Sequence, residues 1–231
     1  MAKVETASNA SGGGKKGRAA RGFLPAPAYV GGETVQETGG GVCQGSSTVY
    51  LAALRANLKI VERYPHGYIT RYVPDGMDAT VYYGAKDFRF QTDTPFPLKV
   101  VASVSGRTLT VNILGTKSDN ITVEMTNQVV GTTPYKTVYQ VDESLRVPIG
   151  YVPAGTTNVK TTPYTGYTVK VYSNLYENGA LKDTKLESTS VYRPRDQVIL
   201  VRKGFTDIQS EEDLANVKIG VQQSTTADLY C

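Results

Sequence analysis

The chain has 231 residues, of which 40% are hydrophobic and 20% charged, so it has the composition of a globular protein with a substantial core. Its formal net charge of +4 is modest and lies largely in the first 21 residues, which argues against a general nucleic-acid-binding surface. No apolar run reaches the length of a transmembrane helix, and the N-terminus shows no apolar core of a secretory signal.

The first elements along the chain are a flexible arm, loops and one helix. Residues 1–17 form a Gly/Lys-rich head, which we interpret as a flexible arm, with an electrostatic contact to an acidic surface as the alternative. From about residue 22, glycines, prolines and small residues predict loops that lead to a turn. Residues 46–58 combine good helix formers with an apolar face and predict a helix that ends near Asn57.

The remainder is predicted to be rich in strands. Pro74-Asp75-Gly76 separates one pair of predicted strands, Ser105-Gly106-Arg107 separates a second, and Asn178-Gly179 marks a further hairpin. Sixteen tyrosines, no tryptophan and many alternating threonines and valines also favour β structure. The predicted strands cover 69–73, 79–84, 98–104, 108–114, 121–125, 168–172 and 198–201.

These elements predict an α+β fold class. We expect a small α+β head, with one main helix packed on antiparallel sheet, followed by a mostly β module. A second set of predicted strands begins after Gly115, which places a domain boundary near residues 117–128. The predicted segments are a head at 1–17, a first domain at 18–117, a β domain at 128–204 and a short remnant at 205–231.

Cys43 is the leading candidate for a nucleophile. It follows Gly39-Gly40-Gly41-Val42 and stands immediately before the predicted helix. Unpaired backbone amides and the dipole at a helix N-terminus favour the thiolate, which is the form of cysteine that attacks or ligates. The other cysteine, Cys231, is the last residue, so the two do not form a disulfide framework and we expect Cys43 to be a free thiol.

Thiol catalysis needs a base and a group that orients the base. His66 is the only histidine in the chain, Asp78 is the preferred orienting residue, and Asp75 is the second choice. A lone cysteine in a glycine-rich turn is often a small buried residue, and a lone histidine is often a satisfied structural group. A purely structural role for Cys43 and His66 therefore stays open beside the catalytic one.

Two other interpretations of this region are weaker. One histidine, one usable cysteine and scattered carboxylates fall short of a four-ligand metal set. The glycine run precedes a helix N-terminus but lacks the spacing of the familiar phosphate-binding loops. We therefore predict neither a metal nor a cofactor.

The sequence around Cys43 resembles the VanW family. The resemblance extends from about Arg18 to Gly115 and is carried by residues 39–50, 52–56, 62–66 and 72–81. It implies a bacterial cell-envelope protein, located outside the cytoplasm, without naming a reaction. The Gly/Lys-rich head replaces the strand that members carry before Arg18, which implies an N-terminally truncated domain. Gly45 stands where a β-branched apolar residue is usual.

A shorter resemblance bears on mechanism. The order of a cysteine at a helix start, a histidine and an Asp-Ala-Thr segment is similar to that of transglutaminase-like thiol enzymes. It implies that Cys43 is the nucleophile, His66 the general base and acid and Asp78 the orienting residue, with backbone amides near Cys43 and Gln44 as an oxyanion hole. The implied substrate is an amide or peptide of cell-wall peptidoglycan. The predicted substrate-binding residues are Gln44, Ser46, Ser47 and Tyr50.

The C-terminal half carries two further resemblances. Residues 134–139, 165–169 and 197–204 resemble a five-glycine domain, a small β module of cell-wall-acting proteins and adhesins, which implies a binding or spacer role. Residues 204–231 resemble a short piece of a periplasmic solute-binding protein. That fold needs far more chain, so we expect a poorly packed remnant that binds no solute.

Two functions are consistent with these patterns. In the first, a VanW-like envelope protein acts on or binds peptidoglycan, and its enzymatic form is a Cys/His/Asp acyl transferase or amidase. In the second, a non-catalytic wall-binding or scaffold protein uses Cys43 only to shape a turn. Neither function involves nucleic acid as a partner.

Overall fold

The computed structural model describes residues 19–20, 22–30, 33–82, 84–92, 95–117, 119–141 and 159–201. The predicted head at 1–17 and the predicted remnant at 205–231 lie outside the described residues. The chain forms two compact units. The first contains the described residues up to Pro134 together with Thr165–Pro194, and the second contains those of Tyr135–Tyr164 and those from Arg195 onward.

The described residues are mostly in strands, with one long helix early in the chain. In chain order the elements are β1 (Pro25–Val30), β2 (Glu33–Thr38), α1 (Val42–Arg55), β3 (Lys59–Glu62), β4 (Arg89–Gln91), β5 (Leu98–Ser105), β6 (Thr108–Gly115), β7 (Ile121–Thr133), β8 (Thr137–Val141), β9 (Val159–Thr161), β10 (Gly166–Glu177), β11 (Ala180–Tyr192) and β12 (Gln197–Val201). Strands β1 and β2, β3 and β4, and β5 and β6 form antiparallel pairs, and β7 and β11 flank β10 in an antiparallel sheet. In the second unit, β12 pairs with β8 in parallel and with β9 antiparallel.

Helix α1 begins four residues before its predicted start. Gly41 precedes it with φ of +88°, a left-handed conformation that glycine adopts without a steric penalty. The apolar face predicted from the sequence is present, since Tyr50 and Leu54 are buried in the first unit's core. Asn57 adopts φ of +53° directly after the helix, which is a common way for a helix to end. As a result Cys43 lies inside the first turn of α1.

Two predicted hairpins are confirmed. Strands β5 and β6 pair with Ser105 opposite Thr108, so Gly106 and Arg107 form a two-residue turn. Strands β10 and β11 meet at Asn178 and Gly179, which have φ of +52° and +84°. Asn-Gly tolerates two successive positive φ angles, and that backbone twist matches the twist of the paired strands.

The sequence-based prediction is wrong at two places in the first unit. Residues 22–38 were expected to be loops, but they contain β1 and β2. Pro25 and Pro27 argued against a strand because proline cannot donate a backbone hydrogen bond. They are accommodated in β1 because β1 pairs on one side only. Residues 69–73 and 79–84 were expected to be paired strands, yet apart from a single bridge at Tyr82 the described residues of these two ranges form no ladder.

The segment around residues 76–81 is buried irregular chain because its backbone groups bond to other parts of the fold. The Thr80 N–H donates to Tyr64 O over 2.7 Å, and the Ala79 N–H donates to Ser47 Oγ over 2.9 Å. Residues 76–79 are all buried, so the segment lacks the alternation of a half-exposed strand. The segment therefore runs between α1 and the sheet of β10, where both sides are covered.

Replacement of Gly76 by alanine should destabilise the first unit by about 2–4 kcal/mol. Gly76 has φ of +83°, and a Cβ atom there would overlap the Val171 side chain. The matched control is Gly106→Ala, because Gly106 also has a positive φ but has open space around its Cβ position. Urea unfolding should show a cost of about 1–2 kcal/mol for Gly106→Ala. Equal losses for both variants would contradict the packing argument.

Candidate active site

Cys43 is the second residue of α1 and is partly buried beneath the chain that follows Asp78. Its sulfur lies 3.5 Å from the main-chain oxygen of Val81. The thiol also packs against the core cluster that contains Tyr50 and Ala79. Cys43 is not in a disulfide. The early start of α1 places this thiol at the end of the helix where backbone amides point outward and the dipole is positive.

His66 and Asp78 form a closely matched pair. His66 Nδ1 lies 2.6 Å from Asp78 Oδ2, and the His66 backbone N–H donates to the same oxygen over 2.7 Å. The Asp78 side chain is 0% exposed. An ionised carboxylate only accepts hydrogen bonds, so this contact places a proton on Nδ1 and leaves Nε2 to face other groups.

The structure brings Cys43 against the His66 ring, and the two groups shift each other's ionisation. Burial lowers the pKa of His66, but hydrogen bonds with Asp78 and Cys43 outweigh it and raise the pKa to about 9. Burial raises the pKa of the Cys43 thiol, but hydrogen bonds with His66 and the Val81 backbone outweigh it, so the pKa lies below its ordinary value. These directions favour a thiolate beside an imidazolium.

Tyr72 approaches the opposite side of the His66 ring from Asp78. Its hydroxyl oxygen lies 3.2 Å from His66 Nε2, and the two rings meet edge to face with centroids 6.1 Å apart. Burial raises the pKa of Tyr72, so the phenol is neutral near neutral pH. Sequence reasoning missed this residue, because nothing in its local pattern separates it from the other tyrosines of the chain.

Arg63 is a second residue that sequence reasoning missed. Its guanidinium donates to Asp78 Oδ1 over 3.0 Å, to Asp78 O over 2.6 Å and to Gly76 O over 2.9 Å. Its side chain is only 6% exposed, and its cationic carbon lies 5.2 Å from the centre of the Tyr50 ring. The signal was weak: an arginine three residues before the only histidine, at the end of a short strand.

Three of the four predicted substrate-binding residues are buried. Ser46 Oγ donates to Ala79 O over 2.6 Å, and Ser47 Oγ donates to Cys43 O over 2.6 Å. The Tyr50 ring packs in the core. Gln44 is partly exposed on the first turn of α1 beside Cys43. The structure therefore places the two serines where they attach α1 to the segment after Asp78, and Gln44 alone beside the thiol at the surface.

Neither a metal-binding cluster nor a membrane-spanning helix is found in the described part of the chain. Among those residues, no group of three or more His, Cys, Asp or Glu side chains is arranged to hold a metal ion. The described helices also include none with the length and apolar character needed to cross a bilayer.

Comparisons with known proteins match the two halves of the chain to two families. The model of VanW-like proteins matches residues 11–114, and the model of the G5 domain matches residues 120–201. The uncharacterized protein YoaR of Bacillus subtilis is 43% identical over 93 residues, which are 40% of this chain and 31% of that protein. The chain thus spans about a third of this relative's length.

Two solved structures are also similar to part of the chain. The HP0197-G5 crystal structure is 21% identical, with 35% of this chain and 95% of that chain covered and a TM-score of 0.19. The IgA1 protease G5 domain is 15% identical, with 37% of this chain and 95% of that chain covered and a TM-score of 0.23.

VanW-like and G5 families are typical of extracellular or cell-envelope proteins, and G5 domains are often binding modules. The chain therefore contains a VanW-like domain at residues 11–114, which is followed by a G5 domain at residues 120–201.

Proposed function

We propose that this protein is a cell-envelope thiol enzyme that cleaves or transfers an amide bond in peptidoglycan peptides. The observation that carries the proposal is the 2.6 Å contact between His66 Nδ1 and Asp78 Oδ2. The same imidazole also forms a hydrogen bond with the Cys43 thiol. The base thereby contacts both the nucleophile and the carboxylate that orients the base. The envelope location of both matched families supports a wall peptide as the substrate.

The first half of the reaction is acylation of Cys43. The thiolate sulfur attacks the amide carbonyl carbon, a carbon–sulfur bond forms, and the carbonyl electron pair moves onto oxygen. When this intermediate collapses, the carbon–nitrogen bond breaks and the leaving amine takes the proton from His66 Nε2. The products are a thioester on Cys43, a free amine and a neutral His66.

The second half of the reaction releases the acyl group. Water or a second amine attacks the thioester, and His66 Nε2 accepts the proton that the nucleophile loses. The carbon–sulfur bond breaks and the thiolate is restored beside the imidazolium. Water gives hydrolysis, whereas an amine gives transfer. Asp78 keeps the Nδ1 proton in place through both halves and stabilises the imidazolium.

The negatively charged oxygen of the tetrahedral intermediate is stabilised by a hydrogen bond from the Cys43 backbone N–H, in the first turn of α1. The neighbouring Gln44 N–H already donates to Gly41 O over 3.0 Å, and the Val42 N–H donates to Gly39 O over 3.3 Å. These bonds engage the amides on either side of Cys43. The partly exposed side-chain amide of Gln44 is the second proposed donor, because it stands on the same turn as the thiol.

A non-catalytic wall-binding role is the second candidate. It is favoured by the partial burial of Cys43 against the core cluster and by the match of residues 120–201 to a family that often serves as a binding module. In this role the thiol fills space under the segment around Val81, and the serines at positions 46 and 47 attach that segment to α1.

Capture of a thioester on Cys43 distinguishes the two roles. A Cys231→Ser protein is mixed with peptidoglycan stem-peptide fragments, quenched in acid and examined by mass spectrometry for an acyl adduct on the peptide that contains Cys43. The enzymatic role predicts an adduct that hydroxylamine removes and that Cys43→Ser abolishes. Fragments that bind equally well to both proteins without any adduct would contradict it and support the binding role.

A further inference from the structure

Two side chains from β11 reach the network around Asp78. Tyr192, which is 1% exposed, donates its hydroxyl hydrogen to Asp78 Oδ1 and accepts the Gly76 N–H over 2.7 Å. Ser190 is also buried, and its hydroxyl oxygen accepts a hydrogen bond from Arg63 Nη1 over 2.8 Å. Both residues belong to the segment that matches the G5 family, whereas Asp78 belongs to the VanW-like segment. The two matched segments therefore meet at one carboxylate.

The two oxygens of Asp78 have separate partners. Oδ2 accepts the hydrogen bonds from the backbone and the ring of His66. Oδ1 accepts those from Arg63 Nη2 and the Tyr192 hydroxyl. Because the two oxygens of a carboxylate rotate together, the donors on Oδ1 determine which way Oδ2 points. The angle at which Asp78 meets His66 thus depends on Arg63 and Tyr192.

The same two side chains also hold the backbone that carries Asp78. Arg63 donates to the main-chain oxygens of Gly76 and Asp78, while Tyr192 accepts the Gly76 N–H. Gly76 has a positive φ and lies directly against Val171, so its backbone has little room to move. Side chain and main chain of the Asp78 segment are therefore fixed by contacts with β10 and β11.

We infer that Tyr192 is a positioning residue for the Cys43 reaction, and that Ser190 assists it by holding Arg63. This inference rests on the proposed function. Tyr192 acts through Asp78 and His66, so the site is complete only when the β11 end of the G5-matched segment is docked. Burial raises the pKa of Asp78, but hydrogen bonds from His66, the Arg63 charge and the Tyr192 hydroxyl outweigh it, which keeps the carboxylate ionised.

The test replaces Tyr192 by phenylalanine in the full chain, which keeps the ring and removes only the hydroxyl. One readout is the rate of Cys43 acylation by peptidoglycan stem-peptide fragments, which should fall about tenfold or more when the orientation of His66 loosens. The second readout is the proton NMR signal of His66 Nδ1–H, which is unique because the chain has one histidine. The signal should weaken or move upfield as the bond to Asp78 loosens.

Tyr172→Phe is the matched control, because Tyr172 follows buried Val171 on β10 and points to the other face of the sheet. It should leave both readouts unchanged. Ser190→Ala should change both in the same direction as Tyr192→Phe but less, and it decides the matter if Tyr192→Phe does not fold.

The positioning role would be overturned if Tyr192→Phe were acylated at the wild-type rate and kept an unchanged Nδ1–H signal. If Tyr192→Phe does not fold, the same result in Ser190→Ala would overturn it. If the wild-type protein itself is never acylated, the proposed function fails instead. The Nδ1–H signal then still decides whether Tyr192 places Asp78 against His66.

Discussion

Replacement of Asp78 by alanine should lower the free energy of unfolding by about 3–5 kcal/mol. The carboxylate is 0% exposed and accepts hydrogen bonds from His66, Arg63 and Tyr192. Its removal leaves the nearly buried Arg63 cation without its anionic partner and leaves several donors unsatisfied. Urea or thermal unfolding followed by circular dichroism measures the loss.

Asp75→Ala is the control for this prediction. Asp75 lies three residues earlier in the same loop and is the second residue that the sequence offers as an orienting carboxylate. It is partly exposed, so its replacement should change stability by no more than about 0.5 kcal/mol. A larger loss for Asp75→Ala than for Asp78→Ala would show that the hydrogen-bond network is assigned to the wrong carboxylate.

Above about pH 9, the rate of amide turnover should fall while the rate of Cys43 alkylation should not. His66 has a pKa of about 9, so it loses its proton as the pH rises through that value and can no longer protonate a leaving amine. Turnover of peptidoglycan fragments should therefore fall above about pH 9. Alkylation of Cys43 by iodoacetamide should not fall there, because the thiolate needs no acid for that reaction.

His66→Asn supplies the matching variant for this second prediction, since asparagine can still donate a hydrogen bond to Asp78. Turnover should fall by about 10²–10⁴-fold when the general acid and base is lost. Alkylation at pH 7 should also slow, because burial then raises the pKa of Cys43 without the opposing hydrogen bond from His66. Unchanged alkylation and unchanged turnover would contradict the assignment of His66 as the partner of the thiol.

The residues proposed for the chemistry could be predicted from the sequence because histidine and cysteine are rare in this chain. A single histidine and two cysteines, one of which is the last residue, leave few combinations, and the motif around Cys43 is by itself characteristic of the VanW family. In the structure His66 contacts both Asp78 and the Cys43 thiol, although the predicted strand that was to begin after Asp78 is irregular chain.

The supporting residues were not accessible from sequence because they depend on tertiary docking. Tyr192 stands 114 positions beyond Asp78, and the end of β11 has no local feature that points to the thiol. The start of α1 was predicted wrongly for a different reason, because it depends on local backbone conformation. Only the left-handed backbone at Gly41 shows that the glycine run has ended and the helix has begun.

The regular hairpins were the most predictable part of the fold, since their register depends on local turn chemistry. Asn178 and Gly179 specify the β10–β11 turn by themselves. The segment at 76–81 was unpredictable for the opposite reason. Its backbone bonds to Tyr64 and Ser47, and neither contact leaves a periodic pattern in the sequence.

An NMR titration of the single histidine tests the central claim most directly. In the wild-type protein, the ring signals of His66 should titrate with a midpoint at about pH 9. The midpoint should move down in Cys43→Ser and in Asp78→Asn, because each variant removes a group that raises the pKa of His66. A wild-type midpoint near the ordinary value of 6.5, unchanged in both variants, would contradict a thiolate–imidazolium site at Cys43.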